Sequence, residues 1–132
     1  MTVTVNPEVS KILFIEDDSA LRTNVAELLT IKGYDVLIAA NGAEGIYLAK
    51  DGIPNLILCD LSMPDMNGQQ VMEAIRNIPA AAHIPFLFLT GQSDPSVLHQ
   101  QMGLKTIDYL AKPFQLTDLL VAINNRLAKG IN

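Results

Sequence analysis

Five short apolar runs, each followed by a segment with helical periodicity, dominate this sequence of 132 residues. Continuous apolar runs of this length are typical of strands that are buried on both faces. The segments between them repeat apolar residues every three or four positions, which predicts amphipathic helices. Strands that alternate with helices favour a parallel sheet with helices on both faces. We therefore expect an α/β fold of five strand–helix units in one domain.

Turn-forming residues set the expected boundaries of these elements. Gly33 ends the first helix, Asn41 and Gly42 form a turn, and Pro95 lies in the first turn of the fourth helix, where proline is favourable. We expect strands at residues 11–15, 34–39, 56–59, 86–89 and 107–110. We expect helices that begin near residues 19 and 95, and helices at 43–50, 69–76 and 117–129.

Charge, cysteine content and apolar run length exclude several classes of protein. The net charge is −5, with 14 acidic against 9 basic side chains, which argues against bulk binding to nucleic acid or anionic lipid. Cys59 is the only cysteine, so no intrachain disulfide forms, as is usual in a reducing cytosol. Residues 1–10 lack the apolar core of a signal peptide, and the run 84–89 is too short to span a bilayer. We expect a cytoplasmic protein.

Acidic, hydroxyl and amine side chains stand at the ends of the predicted strands. Glu16 and Asp17 follow the first strand, Asp60 the third, Thr90 the fourth and Lys112 the fifth. The carboxyl ends of parallel strands meet at one edge of a sheet, so these side chains are expected to share a pocket. Two carboxylates about 4 Å apart repel by roughly 4 kcal/mol at an effective dielectric near 20. The three acids therefore predict a bound cation, and Mg²⁺ is the cation that suits oxygen ligands beside a phosphate.

Each of these residues also has a simpler interpretation when it is considered alone. The acids after the first strand are suited to the N-terminus of the following helix, where Asp18 is better placed as a cap than as a ligand. Asp60 is either a loop acid or a nucleophile that forms an aspartyl-phosphate. Thr90 is either structural or a hydroxyl ligand of a phosphoryl group, and Lys112 is a natural phosphate partner as a point charge.

Taken together and in order, the motifs closely resemble the receiver domain of bacterial two-component response regulators. The resemblance extends over about residues 11–128. It depends on the following segments: Glu16-Asp17, Asp60 with Met63-Pro64-Asp65-Met66-Asn67-Gly68, Thr90, and Asp108-Tyr109-Leu110-Ala111-Lys112-Pro113-Phe114.

The resemblance implies a flavodoxin-like, doubly wound (βα)5 sandwich with a parallel sheet in strand order 2-1-3-4-5. It implies that Asp60 accepts a phosphoryl group from a histidine kinase or phosphotransfer protein. Glu16, Asp17, Asp60 and the backbone carbonyl of Ser62 would hold Mg²⁺, for which Mn²⁺ can substitute. The domain would assist its own phosphorylation and dephosphorylation and would not be an enzyme in its own right.

The resemblance also assigns a signalling role to several residues. Thr90 and Lys112 would contact the phosphoryl oxygens, and Tyr109 would be the aromatic switch residue that responds to Thr90. The side chains of Ser62 and Gln92 occupy positions that tune the lifetime of the phosphate. The face formed by the fourth helix, the fifth strand and the fifth helix, called the output face below, would change shape for a downstream protein or an effector domain, or form a homodimer.

One segment departs from the family pattern, and the ends of the chain lie outside the resemblance. Gly103 stands where the fourth helix is expected to stop, so that Leu104 and Lys105 lengthen the turn and alter the output face. We expect an N-terminal lead at residues 1–10, the receiver domain at 11–129 and a short tail at 130–132.

Three other classes of protein compete with this interpretation. A nucleotide-binding flavodoxin-like protein needs a phosphate loop rich in Gly, Ser or Thr after the first strand, where this chain has acids that repel phosphate. A hydrolase with an aspartate nucleophile needs a second acid two residues after Asp60, where Ser62 stands. A receiver that acts only as a protein-interaction module, without phosphorylation, commonly lacks part of the acid set, which is complete here.

Overall fold

The computed structural model describes residues 9–92 and 94–129, so the expected tail and most of the expected lead lie outside the described residues. Five parallel strands form one sheet in the order β2-β1-β3-β4-β5. The strands are β1 Lys11–Ile15, β2 Asp35–Ala39, β3 Leu56–Asp60, β4 Phe86–Thr90 and β5 Tyr109–Ala111. The helices are α1 Ser19–Ile31, α2 Gly42–Gly52, α3 Gly68–Arg76, α4 Pro95–Met102 and α5 Leu116–Lys129.

The sheet is buried on both faces, as the apolar runs predict. Every residue of β3 and β4 is buried, including the two polar residues that end these strands, Asp60 and Thr90. Alternate side chains of the strands pack into two separate core clusters. Helices α1 and α5 cover one face with Val25, Leu29, Leu119 and Ile123, whereas α2, α3 and α4 cover the other. The predicted flavodoxin-like fold and its strand order are confirmed.

Side-chain caps begin several of the helices. Asp18 accepts a hydrogen bond from Leu21 N, which confirms its interpretation as the N-cap of α1. Asn41 caps α2 in the same way, and Asn67 and Gln70 form a reciprocal capping box at the start of α3. These caps fix where the polypeptide turns from the carboxyl edge of the sheet into each helix. No helix within residues 9–92 and 94–129 is long and apolar enough to cross a bilayer.

The fifth strand is shorter than predicted. Residues Thr106–Asp108 form a 3₁₀ helix, and the strand begins only at Tyr109. Asp108 closes this turn twice, since its Oδ2 accepts from Lys105 N and its own N–H donates to Lys105 O. The prediction of a strand at 107–110 was therefore wrong for Ile107 and Asp108, because local hydrogen bonding in the turn outweighs their strand-like pattern.

The turn after α4 follows the predicted departure only in part. Gly103 ends the helix with φ of 66°, the left-handed conformation that favours glycine, and Leu104 N donates to Leu98 O. Lys105 is exposed, but Leu104 is 6% exposed and packs into the core below α4. The Gly103 turn thus directs the apolar side chain of Leu104 inward, and of these two residues only Lys105 is exposed.

Candidate functional site

The acidic residues at the carboxyl edge of the sheet lie together. Carboxylate oxygens of Glu16, Asp17 and Asp60 are all within 4.8 Å of one another. Glu16 is fully buried and Asp60 is 4% exposed, whereas Asp17 is open to solvent. Two buried acids and one exposed acid therefore form a pocket that water and ions can reach from one side.

Lys112 spans this pocket from the end of β5. Its Nζ lies 3.1 Å from Asp60 Oδ2 and 3.3 Å from Glu16 Oε1, and its side chain is 28% exposed. Partial burial alone lowers the pKa of Lys112, but its hydrogen bonds and charge interactions with Asp60 and Glu16 outweigh burial and raise it. The lysine is therefore held as a cation between the two buried carboxylates.

One ammonium group does not balance the acids. Burial, followed by the hydrogen bond and the negative charge of Asp60, raises the pKa of Glu16 to about 7. The three carboxylates and Lys112 carry a net charge of −2 when all are ionised. The donor set is composed of carboxylate oxygens, which are the ligands of a hard divalent cation. A site that is short of two positive charges and is built from oxygen donors fits Mg²⁺.

Backbone contacts fix the position of Asp60. Ser62 N donates to Asp60 Oδ1 across 3.1 Å, and Gly68 N donates to Leu61 O across 3.0 Å. At Gly68 the start of α3 approaches the end of β3 so closely that a Cβ would lie 2.7 Å from Asp60 O. Only glycine fits there without displacement, so Gly68 lets the β3–α3 loop close around the carboxylate.

Arg22 is a site residue that the sequence did not indicate. Its Nη1 donates to the carbonyl of Glu16 across 2.8 Å and to that of Asp17 at 3.5 Å. These carbonyls belong to the loop that carries two of the acids, so Arg22 fixes the loop from the first turns of α1. A basic residue one turn after the N-cap was the available signal, but such residues are usually solvent-exposed.

The side-chain hydroxyl of Thr90 contacts the backbone N–H of Gln92. Thr90 is 3% exposed, and its Oγ1 accepts a hydrogen bond from Gln92 N across 3.0 Å. The side chain of Gln92 is directed to the start of α4, where its Oε1 accepts from Asp94 N. At Gly91, between them, no described heavy atom lies within 4 Å of the position that a Cβ would occupy. The structure thus brings Thr90 to the strand end with free space beside it.

A cavity of about 620 Å³ lies between the β3–α3 loop and α4. Ser62, Thr90, Gly91 and Gln92 line it on the side of the acidic residues, and Met102 lines it below α4. Only Leu98 is buried among the residues of α4. A helix that buries so little apolar area beside a cavity is weakly held, which allows movement of α4.

Tyr109, at the start of β5, lies away from the carboxylates. Its ring is half-buried and packs against the core cluster that contains Phe88 and Leu98. It also lines a groove of about 330 Å³ with Leu110 and with Val121 of α5, which is 60% exposed. The predicted site residues therefore form two groups, one around Asp60 and one on the output face, with Thr90 and Gly91 between them.

The profile of the response regulator receiver domain matches residues 12–124. This chain belongs to that family. The receiver domain is 33% identical over 118 residues to the chemotaxis protein CheY of Bacillus subtilis, with 89% of this chain and 97% of that protein covered. It is 34% identical over 122 residues to the transcriptional regulatory protein CusR of Escherichia coli, with 91% and 52% covered.

Solved receiver structures have the same fold. The chemotaxis response regulator CheY4 of Vibrio cholerae matches this receiver domain with a TM-score of 0.81 at 28% identity, covering 89% of this chain and 98% of that one. The chain spans about half the length of CusR and nearly the whole length of CheY. Receiver domains are signalling domains of two-component systems, and this chain is one of them.

Proposed function

We propose that this receiver domain is a phosphoacceptor that takes a phosphoryl group on Asp60 from a histidine kinase or phosphotransfer protein. The observation that carries the proposal is the pocket in which Glu16, Asp17 and Asp60 converge within 4.8 Å while Lys112 bonds to Asp60. Such a pocket supplies a nucleophilic carboxylate, ligands for a divalent cation and a fixed positive charge, which are the parts that phosphoryl transfer requires.

The transfer needs no further co-reactant. A carboxylate oxygen of Asp60 attacks phosphorus, the new P–O bond forms, and the P–N bond of the donor phosphohistidine breaks. The electron pair of that bond stays on the imidazole nitrogen of the donor. Glu16, Asp17, Asp60 and the Ser62 carbonyl would hold Mg²⁺, which neutralises charge on the phosphoryl oxygens. Lys112 supplies a second positive charge and bonds to a phosphoryl oxygen once Asp60 is modified.

The proposed signal passes through Thr90. A phosphoryl group adds about −1.5 to −2 charges and new acceptor oxygens, to which the Thr90 hydroxyl turns. This movement takes Oγ1 away from Gln92 N and enlarges the space beside Gly91, into which the ring of Tyr109 rotates. Because α4 is weakly held, it shifts with the ring, and the output face changes shape. The change is a shift in population between two packings.

Ser62 and Gln92 are proposed to set the lifetime of the phosphate. Ser62 is exposed and follows Asp60 by two residues, which supports a position of its side chain beside the path of attacking water. A hydroxyl there is a weaker general base than a carboxylate, which disfavours rapid hydrolysis. Gln92 reaches the same space only when it releases Asp94 N. The domain thus assists changes in its own phosphorylation and is not a turnover enzyme for a separate substrate.

The proposed partners follow from the family and from the two groups of residues. A histidine kinase or phosphotransfer protein contacts the edge that holds Asp60. A downstream protein, a second copy or an effector domain on a longer chain contacts the output face. Direct binding to nucleic acid or membrane is not proposed for this domain, whose net charge is −5.

Beryllofluoride, an analogue of the phosphoryl group, tests the switch separately from the transfer chemistry. With Mg²⁺ and beryllofluoride, NMR signals of Thr90, Gly91 and Tyr109 are expected to shift in the wild-type protein and to stay unchanged in Asp60→Asn. Shifts confined to the loop around Asp60, with Tyr109 unaffected, would support an interaction module that does not respond to phosphorylation.

A further inference from the structure

Arg126 occupies an unusual position at the edge of the sheet. Because β5 is short, it pairs with β4 only from Phe88 onward, which leaves the first part of β4 paired with β3 but without a neighbouring strand on its other side. Arg126 of α5 fills this gap, since its Nε donates to the carbonyl of Phe86 across 2.9 Å. The side chain is 3% exposed, so the guanidinium lies inside the protein at the end of the sheet opposite to Asp60.

The guanidinium also faces a cavity of about 380 Å³ below the end of α4. Among the described residues, none accepts a hydrogen bond from the buried Nη1 of Arg126. A buried charged donor without an acceptor costs more free energy than an ordinary lost hydrogen bond. Arg126 therefore brings an incompletely paired guanidinium to the wall of this cavity.

A second guanidinium lines the same cavity. Arg76 Nη1 donates to the carbonyl of Ile84 across 2.8 Å, and its Cζ stacks 5.2 Å from the centre of the Phe86 ring. Burial, and then the positive charge of Arg126, lowers the pKa of Arg76. Asp108 also lines the cavity and offsets one of the two charges. A net charge of about +1 remains, which one monovalent anion neutralises.

The remaining walls are apolar. Met72 and Phe88 form one side, and Met102 and Leu104 form the side below α4. Pockets for small molecules usually have volumes of about 300 to 1,000 Å³ and combine apolar walls with a few polar groups that fix orientation. A cavity lined by two guanidinium groups together with thioether and aromatic side chains matches an anion with an apolar body.

We propose that this cavity binds a small organic carboxylate, with its head group on Arg126 and Arg76 and its body against Met72, Phe88 and Met102. Guanidinium groups bind carboxylates in a planar, charge-assisted geometry. The ligand would contact Met102 and Leu104, where α4 turns towards β5, and would therefore reach the output face from below. The site lies apart from Asp60, so binding does not require phosphorylation and does not depend on the function proposed above.

Benzoate and its neutral counterpart benzamide test the site in the unphosphorylated wild-type protein. Benzoate is expected to shift the Arg126 Nε–H signal and the methyl signals of Met72 and Met102 in a saturable way in NMR titrations. Benzamide at equal concentrations is expected to give much smaller shifts, because it lacks the charge. Equal effects of the two compounds, or no saturable shift at Arg126, would overturn the proposal.

Inorganic phosphate and two variants complete the test. Phosphate is expected to bind more weakly than benzoate, since it has no apolar body, and equal binding would contradict the assigned walls. Arg126→Met should weaken benzoate binding about tenfold or more, because a charge-assisted hydrogen bond is lost. Lys50→Met removes an exposed positive charge from α2 and should leave binding unchanged. Equal weakening in both variants would show that only the net charge matters.

Discussion

Lys112 Nζ lies 3.1 Å from Asp60 Oδ2 and joins the ends of two strands, β5 and β3, that are separated in the sheet by β4. The two residues are 52 positions apart in the sequence. A second contact, to Glu16 Oε1, makes Lys112 the counter-charge of both buried carboxylates. The resting site is therefore held by an ion pair, which the proposed phosphorylation of Asp60 would rearrange.

Lys112→Ala tests how far this ion pair stabilises the protein. Without the ammonium group, the buried acids repel each other, so the free energy of unfolding in EDTA should fall by about 2 kcal/mol at neutral pH. Mg²⁺ should restore much of this loss, because the cation replaces the missing charge, and its affinity should be retained. Denaturant unfolding with EDTA or with Mg²⁺ measures both effects.

The exposed Lys50 provides the matched control for Lys112. Lys50→Ala should change the free energy of unfolding by no more than about 0.5 kcal/mol, with or without Mg²⁺. If Lys112→Ala were as stable as the wild type in EDTA, or lost Mg²⁺ binding, the role of Lys112 as a counter-charge would be wrong. After phosphorylation, Lys112→Ala should also show a weaker change in partner affinity than the wild type.

The raised pKa of Glu16 predicts that protons and Mg²⁺ compete. Burial, and then Asp60, raises this pKa from 4.5 to about 7 in the metal-free folded protein. The folded state therefore binds more protons than the unfolded state between these pH values, so the free energy of unfolding falls as pH rises through this range. Mg²⁺ displaces the proton, so its affinity should rise with pH by up to about tenfold per pH unit below the pKa.

Isothermal titration calorimetry with Mg²⁺ between about pH 5 and about pH 8 measures this competition. Protons should be released on binding at the lower pH values and not at the higher ones. In Glu16→Gln the pH dependence of the Mg²⁺ affinity should flatten, because the titrating carboxyl group is removed. The affinity at the highest pH should also be lower, because the variant lacks one charged metal ligand. An unchanged pH profile in this variant would show that Glu16 is not the group that titrates.

Gly68 is predicted to be required for packing at the end of β3. In Gly68→Ala the new Cβ would lie 2.7 Å from Asp60 O and 3.1 Å from Leu61 Cα, so the backbone of the loop must shift. Overpacking of this kind costs about 1 to 3 kcal/mol, which exceeds the gain of about 1 kcal/mol in helix propensity. The midpoint of denaturant unfolding should fall, and phosphorylation of Asp60 should slow.

Gly91→Ala is the comparison for Gly68→Ala. The new Cβ would have no described heavy atom within 4 Å, so the free energy of unfolding should change by no more than about 0.5 kcal/mol. Equal losses of stability in the two variants would attribute the effect to the general replacement of glycine and not to the close contact at Asp60.

The sequence predicts the sheet and the convergence of the acids because both depend on local patterns. Apolar runs define β1, β3 and β4, and strand ends place Glu16 and Asp60 at one edge. The predicted strand boundary that was wrong lies at a turn, at the start of β5. Hydrogen bonds between Lys105 and Asp108 convert the start of the expected fifth strand into a 3₁₀ helix. Strand propensity alone does not predict whether the strand or this turn forms.

Contacts between distant side chains were beyond prediction for a different reason. Arg22 fixes the acidic loop and Arg126 reaches Phe86 O, and each is an ordinary basic residue of a helix in the sequence. Whether such a side chain is exposed or buried depends on the space that other elements leave. For Arg126, that space exists only because β5 is short, which the sequence did not indicate.

The proposed function depends most directly on the Mg²⁺-dependent phosphorylation of Asp60. Intact-mass spectrometry after incubation with acetyl phosphate, followed by peptide mapping, measures this directly in the wild type and in Asp60→Asn. The wild type should gain one phosphoryl group on Asp60 only when Mg²⁺ or Mn²⁺ is present, and the adduct should survive acid and be lost in base. Labelling that persists in Asp60→Asn would exclude Asp60 as the phosphoacceptor, and labelling that is unaffected by EDTA would exclude a role for the metal ion.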